Sequence, residues 1–364
     1  MHPMEEKTLI QTTRALCALL AATAAPAFAQ ASSATLYGIV DLGVRHTSGL
    51  TPGHAPSANS HTSLHSGVGN TSRWGLRGSE DLGGGTKALF NLEAGINADT
   101  GASANSSKFF DRASWLGLQG VWGTLAAGRQ TTLLADAVSP VDPLGMRFAS
   151  FNPNINVAAL SQHGLGIQYG SAGSTSGSYR LDNALKYTGH FGAMTVRAMH
   201  GFGELAGGSA RLSSSGLGLA YARQGFALSG AYQTFKDANA RDLDAYLLGA
   251  AYQWGSVRWA ATAGRSQART SATARTEQRV LSAGGTWSAT PAADLTLAYY
   301  KVDRTRTLQA GDGYGRLVAF GEYKLSRRTR LYAEFDATRW RGGYQGAGHK
   351  ARATGVTLGV LHHF

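Results

Sequence analysis

Segment after segment of this chain alternates apolar and polar side chains with a period of two, the repeat of an extended strand that turns one face away from water. The pattern is cleanest in RTRLYAEFDATRW: Leu331, Ala333, Phe335 and Ala337 fall on one side, Arg330, Tyr332, Glu334, Asp336 and Thr338 on the other. TKALFNLEAGI sets Ala88, Phe90, Leu92, Ala94 and Ile96 against Lys87, Asn91 and Glu93. AMTVRAM, FALSGAYQTF and DLTLAYY repeat the split. In the last segment, GVTLGVLHHF, Val356, Leu358, Val360 and His362 share a face, and the sequence stops on Phe364. A terminal strand that leaves no open edge must pair on both sides, and closing the sheet into a barrel achieves this.

A soluble sandwich alternates in the same way, with its apolar face turned to a core. The connections separate the two. Short turns (82–85, 120–123, 223–225, 290–294, 326–328) alternate with long polar, Gly/Ser-rich stretches (47–70, 130–160, 203–210, 267–275, 304–312, 341–350). Short turns at one rim and long loops at the other mark a transmembrane barrel of the outer-membrane kind. Sixteen segments are counted, beginning near Thr35, Ser72, Lys87, Lys108, Thr124, Tyr179, Ala193, Leu212, Phe226, Arg241, Val257, Thr276, Asp294, Gly313, Thr329 and Ala351. Fourteen or eighteen fit nearly as well from the pattern alone. The 48 glycines and only 8 prolines agree with many strands joined by tight turns.

Residues 1–29 read as a signal peptide: Lys7 and Arg14, an apolar run from Ala15 to about Ala25, and a small-x-small site at Ala27-Phe28-Ala29. Residues 30–364 are expected to form a single exported barrel domain. Cys17, the one cysteine, lies inside the signal, so disulfides, thiol chemistry and Cys-based zinc sites are excluded from the remainder. No later stretch of about eighteen apolar residues occurs, which excludes a helical membrane protein.

The net charge of +12 could serve a nucleic acid, an anionic surface or an anion path. Arg197, Arg258, Arg316, Lys324 and Arg330 sit on the mixed strand faces, spread round the inside of a tube. A nucleic-acid binder would instead gather its cations on one solvent face among stacking aromatics. The 11 histidines are scattered, and neither a GxSxG elbow nor HExxH is present. His362 and His363 alternate faces, and GGGTK lacks phosphate-loop spacing. No enzyme is indicated, and passive flow through a pore needs no cofactor.

The chain resembles the trimeric general porins of β-proteobacteria. TLYGIVDLGV, SRWGLRGSEDLGGGTKALFNLEAGINADTG, FFDRASWLGLQGVWGTLAAGRQ, ALKYTG, MHGFGE and the final Phe carry the resemblance, which covers essentially all of residues 30–364. It implies a closed all-β barrel of sixteen antiparallel strands in the outer membrane, with short periplasmic turns and long extracellular loops. It also implies three barrels per molecule, with a third loop, about 130–160, folded into each lumen. Wall arginines opposite a loop carboxylate are implied as well: Arg73 of SRWGLRG, Arg112 of FFDRASW and Arg180 of YRLDNALKY, with Asp142 of VDPLG facing them. Arg73 and Arg77 share a face that excludes Trp74 and Leu76, as lumen residues should. Arg112 shares its parity with Ser114, Leu116 and Leu118, an arrangement that fits a strand buried between subunits or behind a packed loop. The loop adds Asp136 and Arg147, the only other charges between Gln130 and Phe151. So weakly charged a loop beside several arginines predicts anion preference. Phe364 resembles the terminal signal read by the barrel-assembly machinery, and an aromatic at the membrane interface is the alternative role. Expected partners are a homotrimer, outer-membrane lipid or lipopolysaccharide, that machinery, and small hydrophilic solutes and ions, with no nucleic acid. A substrate-specific channel is the second possibility and a soluble binding module the third.

Overall fold

The computed structural model describes residues 32–158, 165, 167–171 and 179–364; the expected signal segment lies outside them. Its strands are β1 (Ser33–Leu50), β2 (Pro56–Ser66), β3 (Arg73–Gly83), β4 (Thr86–Asn97), β5 (Ala102–Ser103), β6 (Ala113–Gly120), β7 (Gly123–Thr131), β8 (Arg180–Phe191) and β9 (Met194–Gly201). They continue as β10 (Ser214–Arg223), β11 (Phe226–Lys236), β12 (Asp242–Trp254), β13 (Val257–Arg269), β14 (Arg275–Thr290), β15 (Ala293–Arg306), β16 (Gln309–Lys324), β17 (Thr329–Arg341) and β18 (Arg352–His363). All pairings are antiparallel, between chain neighbours except that β1 also pairs β3 and β4 also pairs β6, and β1 closes the ring on β18 from Ile39 opposite His363 to Ser48 opposite Thr354.

β2 and β3 are halves of one stave, for both pair with β1, along Leu42–Leu50 and Ser33–Ile39. The two-residue β5 only caps β4, so the barrel has sixteen staves. At the closure Phe364 and Gly38 exchange backbone N–H···O bonds of 3.1 and 3.2 Å. The Phe364 ring lies over Gly38, where a Cβ would come within 2.2 Å of it, so only glycine fits beneath the ring.

Every second side chain faces out. On β15, Leu295, Leu297 and Tyr299 are exposed while Thr296, Ala298 and Tyr300 are buried. Outward aromatics ring the short-turn rim, among them Trp122, Phe226, Trp254, Trp259, Tyr323 and Phe364, and Tyr232 and Tyr246 pack at the opposite edge with their ring centroids 4.8 Å apart. This is the girdle of a barrel that stands in a bilayer.

Several expected loops are strands. Residues 47–50 and 56–66 continue the first hairpin beyond the apolar band, and the stretches at 267–275 and 304–312 shrink to turns at 270–274 and 307–308. Residues 56–66 are wet on both faces, and elsewhere beyond the apolar band the outward side chains, such as Gln267, Arg269, Asp303 and Thr305, are polar, so these strands carry no apolar alternation to read even where the inward Thr47, Ala268 and Arg304 are buried. Arg112 does not share a face with Leu116 and Leu118: β6 starts at Ala113, and the irregular backbone before it lets Arg112 turn inward while both leucines face outward. The subunit-burial inference drawn from that parity therefore falls.

The connection after β7 runs to residue 179, well beyond the expected end near 160. Its helix Leu133–Val138, capped by Thr132, packs on the inward side chains Phe235, Leu243, Ala245 and Leu247. Farther on, Leu144, Phe148 and Phe151 join Tyr300, Val318, Phe320 and Tyr332. The loop thus crosses the lumen. Wall glycines give it room: a Cβ on Gly249 would lie 2.5 Å from Val141, and one on Gly284 2.8 Å from Pro143.

Candidate pore constriction

Hairpin register brings the first group together. Arg73 stands opposite Gly95 and Gly75 opposite Glu93, so Arg73, Arg77, Asn91 and Glu93 share the inward face of β3 and β4. Glu93 accepts from Arg112 Nε at 2.7 Å and from the Tyr37 hydroxyl at 2.9 Å, and pairs with Arg73 Nε at 3.4 Å. Arg77, one step toward the short-turn rim, lies over the Tyr37 ring at 4.9 Å. Arg180, at the first position of β8, lies 4.3 Å over the ring of Tyr179 and donates to its hydroxyl at 3.4 Å. The Nε of Arg180 is buried and has no hydrogen-bond partner among the described residues.

Burial opposes ionisation of Tyr179, but Arg180, Arg112 and Arg73 outweigh it and bring its pKa down to about 8. All three guanidinium groups thus act on one phenol. Arg73 and Arg112 share one carboxylate, with Arg180 beside them over Tyr179.

Asp142 is not in that patch. It is 0% exposed, accepting from Met146 N at 2.7 Å, Asn152 Nδ2 at 2.9 Å, Asn154 Nδ2 at 2.7 Å and the Tyr300 hydroxyl at 3.0 Å. Burial raises its pKa against those donors. Its expected place facing the arginines is therefore corrected: the carboxylate organises the loop and fastens it to β15. Asp136 meets Lys186 Nζ at 2.8 Å and Arg197 at 4.0 Å on the β8–β9 wall. Arg147 pairs with Glu322 and lies 5.0 Å over Phe320. The connection 132–179 contains no other Asp or Glu, so no loop carboxylate faces Arg73, Arg112 and Arg180.

A second charged group, missed in the sequence, locks the loop to the wall. Arg45 of β1 donates to Glu334 at 2.7 Å and to Thr357 at 2.7 Å, and pairs with Asp336. Arg316 donates to the carbonyl of Phe151. His54 stacks on the Phe151 ring at 4.5 Å, with Arg45 over the same ring at 4.7 Å. Burial, with Arg316 nearby, lowers the His54 pKa to about 4, so the ring is neutral at pH 7. Strand parity already set Glu334 and Asp336 on the inward face. Their partner on β1 lies 289 residues away from Glu334, and no local pattern announces it.

A family model described as Gram-negative porin matches residues 15–343. The chain belongs to the Gram-negative porin family. This porin is 34% identical to an outer membrane porin protein of Bordetella pertussis over 211 residues, 52% of this chain and 54% of that one. With outer membrane porin protein 32 of Delftia acidovorans the identity is 27% over 385 residues, 96% of this chain and 99% of the other. Among solved structures, the anion-selective porin from Comamonas acidovorans superposes with a TM-score of 0.76 at 24% identity, covering 92% of this chain and all of that one. The trimer form of OmpT, an outer membrane protein of Vibrio cholerae, gives 0.67 at 14%, again with 92% of this chain covered. The matched relatives are channels rather than enzymes. The porin is an outer-membrane channel for passive diffusion of small hydrophilic solutes.

Proposed function

We propose that the porin prefers anions and that Arg73, Arg112 and Arg180 set the preference, with Arg77 extending the patch toward the periplasm. One observation carries this: Arg73 and Arg112 share Glu93, Arg180 pairs with no carboxylate among the described residues, and the loop's two carboxylates are spent elsewhere, Asp142 inside the loop and Asp136 on Lys186 and Arg197. Low-dielectric walls concentrate the field of such a surplus and raise the local concentration of the opposite ion. The chain does this without catalysis. The anion selectivity named for the Comamonas protein and the lumen of this one point the same way.

Three copies are proposed to associate, as in the Vibrio trimer, through the outward face of β3 and the segment before β6. Trp74, Phe109 and Phe110 cluster there edge to face, and Phe109 is 64% exposed.

The deciding measurement is the reversal potential of the purified porin in a planar bilayer under a KCl gradient. A chloride-selective potential that shrinks in Arg73→Ala and Arg112→Ala supports the proposal, and a potassium-selective one refutes it. Block of the ion current by one solute at low concentration would favour a substrate-specific channel instead.

A further inference from the structure

The lumen holds a histidine that neither the loop clamp nor the arginine patch uses. His363 is the last residue of β18. His362 and Phe364 on either side of it face outward and Leu361 is buried, so parity turns the His363 ring into the barrel, where it is partly exposed. Register fixes its level: Ile39 of β1 stands opposite His363 on one side and opposite Arg73 on the other. Arg73 and His363 therefore flank one apolar side chain across β3, β1 and β18. The His363 ring has no hydrogen-bond or ion-pair partner among the described residues. Its electrostatic neighbours are Arg330, Arg73 and Arg147.

Past His363, toward the short-turn rim, lies a second cationic group. Arg330 of β17, opposite Leu361, and Arg147 of the loop share one carboxylate, Glu322, as Arg73 and Arg112 share Glu93. Glu322 stands 3.2 Å from Arg330. The Arg147 and Arg330 side chains are 24% and 28% exposed, so both meet lumen water. The Nε of Arg330 is buried and has no hydrogen-bond partner among the described residues. The other charges at this level are engaged. Lys324 pairs with Asp294 at 2.7 Å, His362 meets the Thr329 hydroxyl at 2.9 Å on the outer face, and the terminal Phe364 oxygen accepts from Gly38 N at 3.2 Å. The cations along this wall thus run from Arg73 to Arg330 with His363 standing between them.

We infer that Arg147 and Arg330 form a second anion station at the periplasmic mouth, and that His363 is a specificity-determining residue that joins it to the arginine patch. Ions cross a pore by stepping between adjacent weak sites. A neutral imidazole leaves a gap in that series, and an imidazolium fills it. Imidazoles are largely neutral at pH 7 and take up a proton as the pH falls toward about 5. The added positive charge, between low-dielectric walls, raises the local anion concentration. Acid therefore increases anion preference through His363, whereas alkali decreases it through Tyr179 at the other station. The inference rests on the anion-preferring reading for the role of the arginine patch.

The test uses the intact porin in planar bilayers, with the chloride-to-potassium permeability ratio read from reversal potentials in dilute KCl at pH 7 and pH 5. In wild type the ratio should rise about twofold on acidification. His363→Gln should abolish that rise, and His363→Lys should give the acid ratio already at pH 7. His362→Gln, which alters only the outward ring, should keep the wild-type response. Because His363 adjoins the terminal residue, Arg330→Gln supplies a second route for the case in which the His363 variants fail to assemble. It should lower the ratio at both pH values and shrink the acid step. An acid step as large in His363→Gln as in wild type would overturn the inference, as would an Arg330→Gln channel with wild-type ratios. A wild type that selects potassium at pH 7, yet loses its acid step in His363→Gln, would sink the anion-preferring pore and leave His363 as the residue through which pH acts.

Discussion

Two walls of one lumen hold similar numbers of arginines and use them differently. On the β1–β16–β17 side Arg45 and Arg316 are buried, faced by Glu334 and Asp336, and occupied with holding Phe151. On the β3–β4–β8 side Arg73 and Arg112 share Glu93, and Arg180, stacked on Tyr179, keeps a buried Nε with no hydrogen-bond partner among the described residues. An arginine count therefore does not measure selectivity. What matters is charge left over after pairing. The first wall is an anchor, and under the proposed function the second, with its smaller share of carboxylates, supplies the field.

Substitutions can break this contrast. The largest effect is expected for Arg45→Met, which strands two buried carboxylates. Removing one partner of a buried ion pair costs about 3–5 kcal/mol, read as a lower unfolding temperature and as noisier, larger single-channel currents, with selectivity little changed. Next comes Arg73→Ala/Arg180→Ala, which should lower the chloride-to-potassium permeability ratio about fivefold at low salt, and less at 1 M where the Debye length is about 3 Å. A smaller effect should follow pH. With its pKa brought down to about 8 by neighbouring arginines against its burial, Tyr179 is neutral below that pH and a phenolate above it. Raising pH from 7 to 9 then cancels part of the surplus, so anion preference should fall, and Tyr179→Phe should flatten the profile in bilayer recordings. The smallest change in selectivity is expected for Asp142→Asn. A shift toward anions as large as that from a lumen carboxylate would return Asp142 to the opening and undo the contrast.

Much of the barrel was legible because a lipid-facing strand must alternate. Leu331, Ala333 and Phe335 could have no other periodicity and remain in contact with hydrocarbon. Where that constraint lapses, so did the signal: residues 56–66, wet on both faces, looked like loop. Parity set Arg73 on the inward face, and its register opposite Gly95 keeps it on the side of Glu93. Arg112 reached the lumen by leaving the strand, which parity cannot see, and Asp142 was misplaced because motif position does not report burial. Glu93 was on the correct face from the start, but its role depends on hairpin register, which a single strand does not specify. Tyr179 became notable only once Arg180 stacked on it.

The anchor at Phe151 also bears on how the molecule is put together. Arg45 lies on β1, Thr357 on β18, and Glu334 and Asp336 on β17, so the cluster straddles the line where the ring closes. Until that line zips, the carboxylates have no Arg45, and the loop lacks part of its clamp. Narrowing of the channel is therefore thermodynamically tied to closure of the wall. An unsealed barrel holds its loop loosely, and a sealed one acquires its constriction in the same step.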